Sequence, residues 1–179
     1  MTTVCNPTTI PLSSFIFKTR VKNHSLIKQT IIDSIESMGT YSYSQPGNQQ
    51  ISNTDWHLNP DTPRPYINYL NHIFDDHNKQ VMDVYGFDLC NRLDVWFQQY
   101  HKGDYHIWHT HRGSMFSNVY YVALNSDCPK TSFMIENKET EFDVAEGDII
   151  TFPSYIKHRS KPNTCDSIKT IVSFNTDFC

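Results

Sequence analysis

A mainly β fold, an antiparallel sandwich or barrel flanked by two N-terminal helices, is what the sequence predicts, and three observations predict it. From residue 93 onward, short apolar and aromatic stretches follow one another closely, separated by turns, which is the pattern of antiparallel all-β architecture. Before that point, two stretches carry apolar residues at helical spacing. Burial must also lean on rings, since aromatic residues make up 13% of the chain within a hydrophobic share of 38%, a profile that suits a β-rich interior.

The 179 residues fit a single domain with ample core, in which residues 1–92 form a helical flank and loop supporting a β core over 93–179. Fifteen Lys and Arg against 19 Asp and Glu give a net charge of −4, so there is no general electrostatic attraction for nucleic acid. No apolar run approaches the roughly 18 residues of a membrane span, and no basic region followed by an apolar segment opens the chain. The expectation is a soluble cytoplasmic protein, and nothing in the pattern specifies an oligomeric state. The five cysteines are scattered, odd in number and without a Cys-x-x-Cys pair, so reduced structural thiols are expected in place of a disulfide framework or zinc finger.

Taken in order, residues 12–21 read as an opening strand. Asn23 can cap a first helix in which Leu26, Ile27, Ile31, Ile35 and Met38 recur until Gly39 stops the run. Residues 40–65 are polar and turn-rich, with Pro60, Pro63 and Pro65, and predict a long surface loop of the kind that acts as a lid. A second helix runs from Tyr66 to about Tyr85, striped by Ile67, Leu70, Ile73, Phe74, His77 and Val81, and ends at Gly86. Between Leu93 and Tyr100 the period becomes two, with Trp96, Gln98 and Tyr100 on one face and Val95, Phe97 and Gln99 on the other. Further strands are expected at 104–111, 118–124, 131–136, 140–144, 148–152 and 168–175.

Two histidines dominate the first of these strands. His109 and His111 stand two apart, so an extended backbone points both to one face, where they can share a metal. His158 follows downstream, after Gly147, a short apolar strand and Pro153. Three imidazoles suit iron, copper, nickel or zinc, and the helical His-Glu-x-x-His alternative is absent. His106 and Asp104 have the opposite parity to His109 and are expected to face away, while His24, His57, His72 and His101 read as structural or surface residues.

Gly103-x5-His109-x-His111 and Gly147-x5-Pro153-x4-His158 are similar to the two cupin motifs, with Met115 and Phe116 where a glutamate is expected. More specifically, residues 93–175 resemble a small 2-oxoglutarate- and Fe(II)-dependent oxygenase of the bacterial and phage type, prolyl-hydroxylase-like. The matching segments are Lys-Gly-Asp-Tyr at 102–105, His-Thr-His-Arg-Gly-Ser at 109–114, Ser-Asn-Val-Tyr-Tyr-Val at 117–122, Gly-Asp-Ile-Ile-Thr-Phe-Pro-Ser at 147–154 and Ile-Val-Ser-Phe-Asn at 171–175. Ser52 to His57 also fits the loop before the second helix.

This resemblance implies a double-stranded β-helix (jelly-roll, cupin-like) packed on two N-terminal helices. It implies His109 and His158 as metal ligands and His111 where the family places a carboxylate. Lys169, eleven positions past His158, takes the place of a more usual arginine on the far carboxylate of 2-oxoglutarate, with Arg159 in reserve. Tyr121 resembles the tyrosine that meets that carboxylate and Tyr100 the one near its metal-side end, while Asn118 stands where glycine is expected. The residue pattern adds that Lys169, Ser173 and Asn175 share a polar face, which inside a barrel mouth requires a ligand or water. A solvent-facing lysine on an edge strand, and tyrosines in ordinary aromatic core, are the alternatives.

The activity implied uses Fe(II), 2-oxoglutarate and O2 to hydroxylate an unidentified small molecule or a protein side chain such as proline, releasing succinate and CO2, with no catalytic residue beyond the metal ligands. Two other readings fit the same histidines: a three-histidine cupin dioxygenase that does not use 2-oxoglutarate, and a metal-binding module without turnover.

Overall fold

Strands that carry apolar side chains on both faces need a core on each side of their sheet. The computed structural model, which describes residues 15–179, provides both. Cys5 and residues 12–14 of the expected opening strand lie outside the described residues. The elements are β1 (Phe17–Arg20), α1 (His24–Glu36), β2 (Tyr43–Gln45), β3 (Gln49–Ile51), β4 (Asn53–Thr54), α2 (Ile67–Tyr85), β5 (Cys90–Tyr100), β6 (Tyr105–His109), β7 (Phe116–Ala123), β8 (Thr131–Ile135), β9 (Lys138–Glu141), β10 (Asp148–Pro153), β11 (His158–Ser160) and β12 (Lys169–Phe178). They form two antiparallel sheets, one in the order β1-β10-β7-β12-β5-β4 and the other β2-β3-β6-β11-β8-β9. The fold is a double-stranded β-helix with two helices against the first sheet, as the sequence predicts.

Alternation along the central strands divides the two cores. Phe97 of β5, Tyr120 and Val122 of β7, and Val172 and Phe174 of β12 pack under Ile31 and Ile35 of α1 and Leu70, Ile73 and Phe74 of α2. Their neighbours Tyr100, Val119, Tyr121 and Ile171 point the other way and meet Phe133, Ile150 and Phe152 between the sheets.

Four expectations are corrected. Residues 40–65 are not one long surface loop: β2 and β3 make a hairpin around Gly47, whose φ of 76° glycine adopts without strain. That hairpin extends the second sheet through the pairs Gln49–His106 and Gln50–Tyr105. Polar residues form strands here because an existing sheet edge offers them partners. Asn23 precedes α1 but is left-handed (φ 58°) and makes no side-chain cap. The strand expected at 104–111 ends at His109, so His111 lies beyond it. Cys128 and Cys165 are not separate reduced thiols: they form a disulfide across Cα atoms 5.5 Å apart, whereas Cys90 and Cys179 are free.

The segment after β4 is anchored by one fully buried carboxylate. Asp55 accepts from Arg64 Nε and the Tyr66 hydroxyl, both at 2.7 Å, and its other oxygen accepts from the Phe97 backbone N–H at 2.8 Å. It thereby joins the entry to α2 to the middle of β5. Replacing Asp55 with Ala strands the Arg64 cation and two donors, and should lower unfolding free energy by about 3–5 kcal/mol in urea titrations.

A second buried polar link joins α2 to both β1 and β10. The Thr151 hydroxyl donates to Asn118 Oδ1 and so accepts from His77 Nε2 at 2.6 Å, leaving Nδ1 to accept from the Thr19 hydroxyl at 2.7 Å. Only the neutral imidazole satisfies this chain, and burial holds the His77 pKa down to about 4, below its ordinary 6.5. The stability that His77 contributes is therefore complete above pH 6.5 and is lost as pH falls from there towards 4. Urea unfolding of the metal-free protein between pH 7.5 and about pH 4.5 should show a loss that a His77→Gln variant shows less steeply.

Candidate metal centre

Antiparallel pairing of β6 with β11 brings His158 directly opposite His109. His111 lies just beyond β6, where its backbone N–H donates to Ser154 O at 3.1 Å. The side chains of His109, His111 and His158 converge so that one ring nitrogen of each lies within 4.8 Å of the others.

In every case the other nitrogen is already occupied. Nδ1 of His109 faces Ile107 O at 2.9 Å, Nδ1 of His158 faces Ile156 O at 3.0 Å, and Nδ1 of His111 faces Asn175 Oδ1 at 2.9 Å. Each of these oxygens accepts, so each Nδ1 carries the proton and each Nε2 presents a lone pair. Outer hydrogen bonds of this kind fix a metal-ligating tautomer. Burial pushes all three pKa values down, His109 to about 4 and His158 well below its ordinary value, so the ligands stand neutral at neutral pH. Three neutral imidazoles with oriented lone pairs fit a divalent first-row metal. The sequence-predicted triad is thus one cluster.

His106 departs from expectation. Its ring stacks on His109 with centroids 3.9 Å apart and lines the same cavity. The reason is a β-bulge: His158 and Ser160, two apart on β11, pair with His109 and His106, three apart on β6. The extra residue reverses the parity and turns His106 inward. Asp104 stays out of the metal cluster, accepting instead from the backbone of Ser52 and His101 and from the Ser52 hydroxyl.

The histidines open into a cavity of about 400 Å³ between the sheets, a volume suited to a small ligand. Trp96, Gln98 and Tyr100 of β5 and Ile171, Ser173 and Asn175 of β12 line it, the faces that period-two reading assigns together. The hairpin supplies Tyr43, Gln49 and Ile51, so this region is wall. Trp56, half exposed at the mouth, packs on Trp96 with ring centroids 4.7 Å apart.

Away from the triad, Lys169 pairs with Tyr100 across β12 and β5 and is 1% exposed. Its ammonium donates to Pro129 O at 2.8 Å and to Ser160 Oγ at 3.1 Å, and stands 5.5 Å from the Tyr100 ring centroid. Among the described residues, no carboxylate lies within ion-pair distance of it. Burial lowers its pKa to about 8, with distant Glu141 pulling the other way. Tyr121 is fully buried, and its hydroxyl donates to Thr131 Oγ1 at 2.9 Å. Lys169 and Tyr121 therefore reach the cavity wall through Ser160 and Thr131, which line it, while Tyr100 and Ser173 line it themselves. Arg159 also lines the cavity, with its guanidinium held by Glu139 at 2.8 Å and stacked over Trp108 at 4.6 Å.

Sequence reasoning missed His106, because a bulge leaves no periodic signal, and it missed the roles of Trp56 and Asn175. Asn175 was findable, since it shares the polar face of β12 with Ser173. Its amide oxygen, which also accepts from Ser117 Oγ at 3.2 Å, orients His111. Asn175→Ala should weaken Fe(II) or Mn(II) binding by about 10-fold or more in metal titrations, while far-ultraviolet circular dichroism stays unchanged.

No protein-family model matches the chain, and no curated protein matches it. Solved structures do match in fold. A viral collagen prolyl hydroxylase from Paramecium bursaria Chlorella virus-1, in complex with 2OG, aligns with 90% of this chain and 94% of its own at TM-score 0.64 and 14% identity. A Pseudomonas putida prolyl-4-hydroxylase aligns over 91% of both chains at TM-score 0.62 and 13% identity. A Trichoplax adhaerens prolyl hydroxylase, in complex with a hypoxia-inducible factor peptide fragment, aligns with 90% of this chain and 83% of its own at TM-score 0.65 and 16% identity.

Proposed function

We propose that this protein is an Fe(II)- and 2-oxoglutarate-dependent dioxygenase that hydroxylates a substrate presented at the Trp56–Trp96 mouth. The observation that carries the proposal is the meeting of two features at one cavity: three imidazole lone pairs aimed at one point, and, behind the lining residue Ser160, a buried lysine with no anionic partner among the described residues. A buried cation of that kind is costly unless a ligand's negative charge meets it. The far carboxylate of 2-oxoglutarate is such a charge, and the matched fold of a viral prolyl hydroxylase in complex with 2OG supports the choice.

In this reading His109, His111 and His158 hold Fe(II) through Nε2. When bound, iron supplies the redox chemistry by which O2 and 2-oxoglutarate yield succinate, CO2 and a hydroxylated C–H bond. The chain's own work is placement. Ile107 O, Ile156 O and Asn175 Oδ1 hold the three imidazoles in their ligating tautomer. Three neutral ligands leave the centre one positive charge richer than a set containing a carboxylate, which favours a dianionic co-substrate. Ser160, bonded to Lys169, presents a hydroxyl to the cavity, and Ser173 adds a second. Trp56 and Trp96 give the mouth an apolar surface that suits a ring such as proline, and neighbours of the same fold are prolyl hydroxylases, so prolyl peptides are the first substrates to test.

With Fe(II), ascorbate and a prolyl peptide, the protein should release succinate in step with peptide hydroxylation. In thermal melts of the Mn(II) form, 2-oxoglutarate should raise Tm, since it binds only the native state. Lys169→Met should fold at least as stably without co-substrate, because it removes an unpaired buried charge, yet bind 2-oxoglutarate about 10- to 100-fold more weakly. Failure to bind any divalent metal, or a normal Tm rise in Lys169→Met, would sink the proposal. A three-histidine oxygenase without 2-oxoglutarate would bind metal and show no Tm rise at all.

A further inference from the structure

The two groups that hold the Lys169 ammonium lie on segments joined by the cysteine pair. Pro129, whose carbonyl accepts from Lys169, follows Cys128 directly, and Ser160 ends the strand that leads into the segment carrying Cys165. That segment is tied to the site's frame by Asn163, whose side-chain amide donates to Tyr100 O at 2.9 Å and whose backbone N–H donates to Asp104 O at 2.9 Å. The pair Thr131–Ser160 is the last rung between β8 and β11. Beyond it, the disulfide is the covalent tie between the Pro129 segment and the Cys165 segment. Cys128 is itself buried beside an open surface depression bordered by Pro129, Lys130 and Lys161, while Cys165 is only half-buried, so a small thiol can approach at Cys165.

We infer that Cys128–Cys165 is a thiol–disulfide exchange site whose state sets how firmly the cavity holds its dicarboxylate co-substrate. The inference rests on the reading of Lys169 given above. A small-molecule thiolate attacks one sulfur, forming a mixed disulfide and releasing the other cysteine as a thiolate. A second thiolate then attacks the small-molecule sulfur of that mixed disulfide and displaces the remaining cysteine, so two thiols leave as one disulfide and both cysteines are returned as thiols. The sheets persist because β8 and β11 remain paired. What loosens is the position of Pro129 O against Ser160 Oγ, and with it the ammonium between them.

The test compares one preparation equilibrated with glutathione disulfide and one reduced with dithiothreitol and desalted under nitrogen, each then loaded with Mn(II). Alkylation followed by peptide mass spectrometry reports the thiols. The oxidised form should protect Cys128 and Cys165 together, and 2-oxoglutarate should bind the reduced form roughly two- to tenfold more weakly, the factor for re-ordering one long side chain. A Cys128→Ser/Cys165→Ser variant, which keeps Cys90 and Cys179, should show the weaker affinity after either treatment. Equal affinity in the two wild-type forms, or alkylation of both cysteines after oxidation, overturns the inference and leaves the oxygenase reading standing. Failure of 2-oxoglutarate to bind either form overturns that reading, and the inference with it.

Discussion

The register between β6 and β11 is the constraint on which the site depends. Antiparallel pairing sets His158 against His109, and one residue of slip would turn either imidazole to the opposite face. The bulge next to that pair adds a residue on β6 without disturbing the pair itself, so His106 also turns inward and packs on His109. The carbonyls that fix the tautomers, Ile107 O and Ile156 O, each belong to the residue two before the ligand they orient. Local backbone thus sets ring orientation at both histidines, and the sheet sets their meeting point.

β12 carries the opposing demands of the fold. Its Val172 and Phe174 bury against the helices, while Ile171, Ser173 and Asn175 face the cavity and Lys169 lies buried beside it. Helix packing on one side therefore holds polar groups rigid on the other, at a place where an unsatisfied hydroxyl or amide would be costly. Asp55 does similar work at the mouth: it locks the segment bearing Trp56 to β5 through the Phe97 N–H, next to Trp96. Both arrangements place site residues on elements whose positions are already determined by burial.

Much of this was legible in the sequence because it follows from period. The two faces of β5 and of β12, the stripes of α1 and α2, and the two-residue spacing of His109 and His111 are local statements about an extended or helical backbone, and the structure has them as read except that Leu26 is exposed and β6 ends at His109, ahead of His111. What escaped depends on partners. The polar β2–β3 hairpin becomes strand only because β6 offers it an edge. The bulge that redirects His106 is a property of two strands together. Cys128 and Cys165, 37 residues apart in sequence, become a pair only once two loops meet. Asp55 carried a family resemblance but no sign that it would be fully buried with three donors around it.

The position of β12 also bears on how the chain is made. It fills the gap between β5 and β7, so those two strands have no hydrogen-bonding partner on their facing edges until residues 169–178 have been synthesised. The long-range pairings that complete the first sheet therefore form late, and a nascent chain exposes two ladder edges flanked by apolar side chains during that interval. Asn175, the residue that orients His111, arrives with the same strand. A fully oriented triad cannot precede closure of the sheet, so in the reading proposed above a metal would find its three lone pairs in place only in a chain that has already folded.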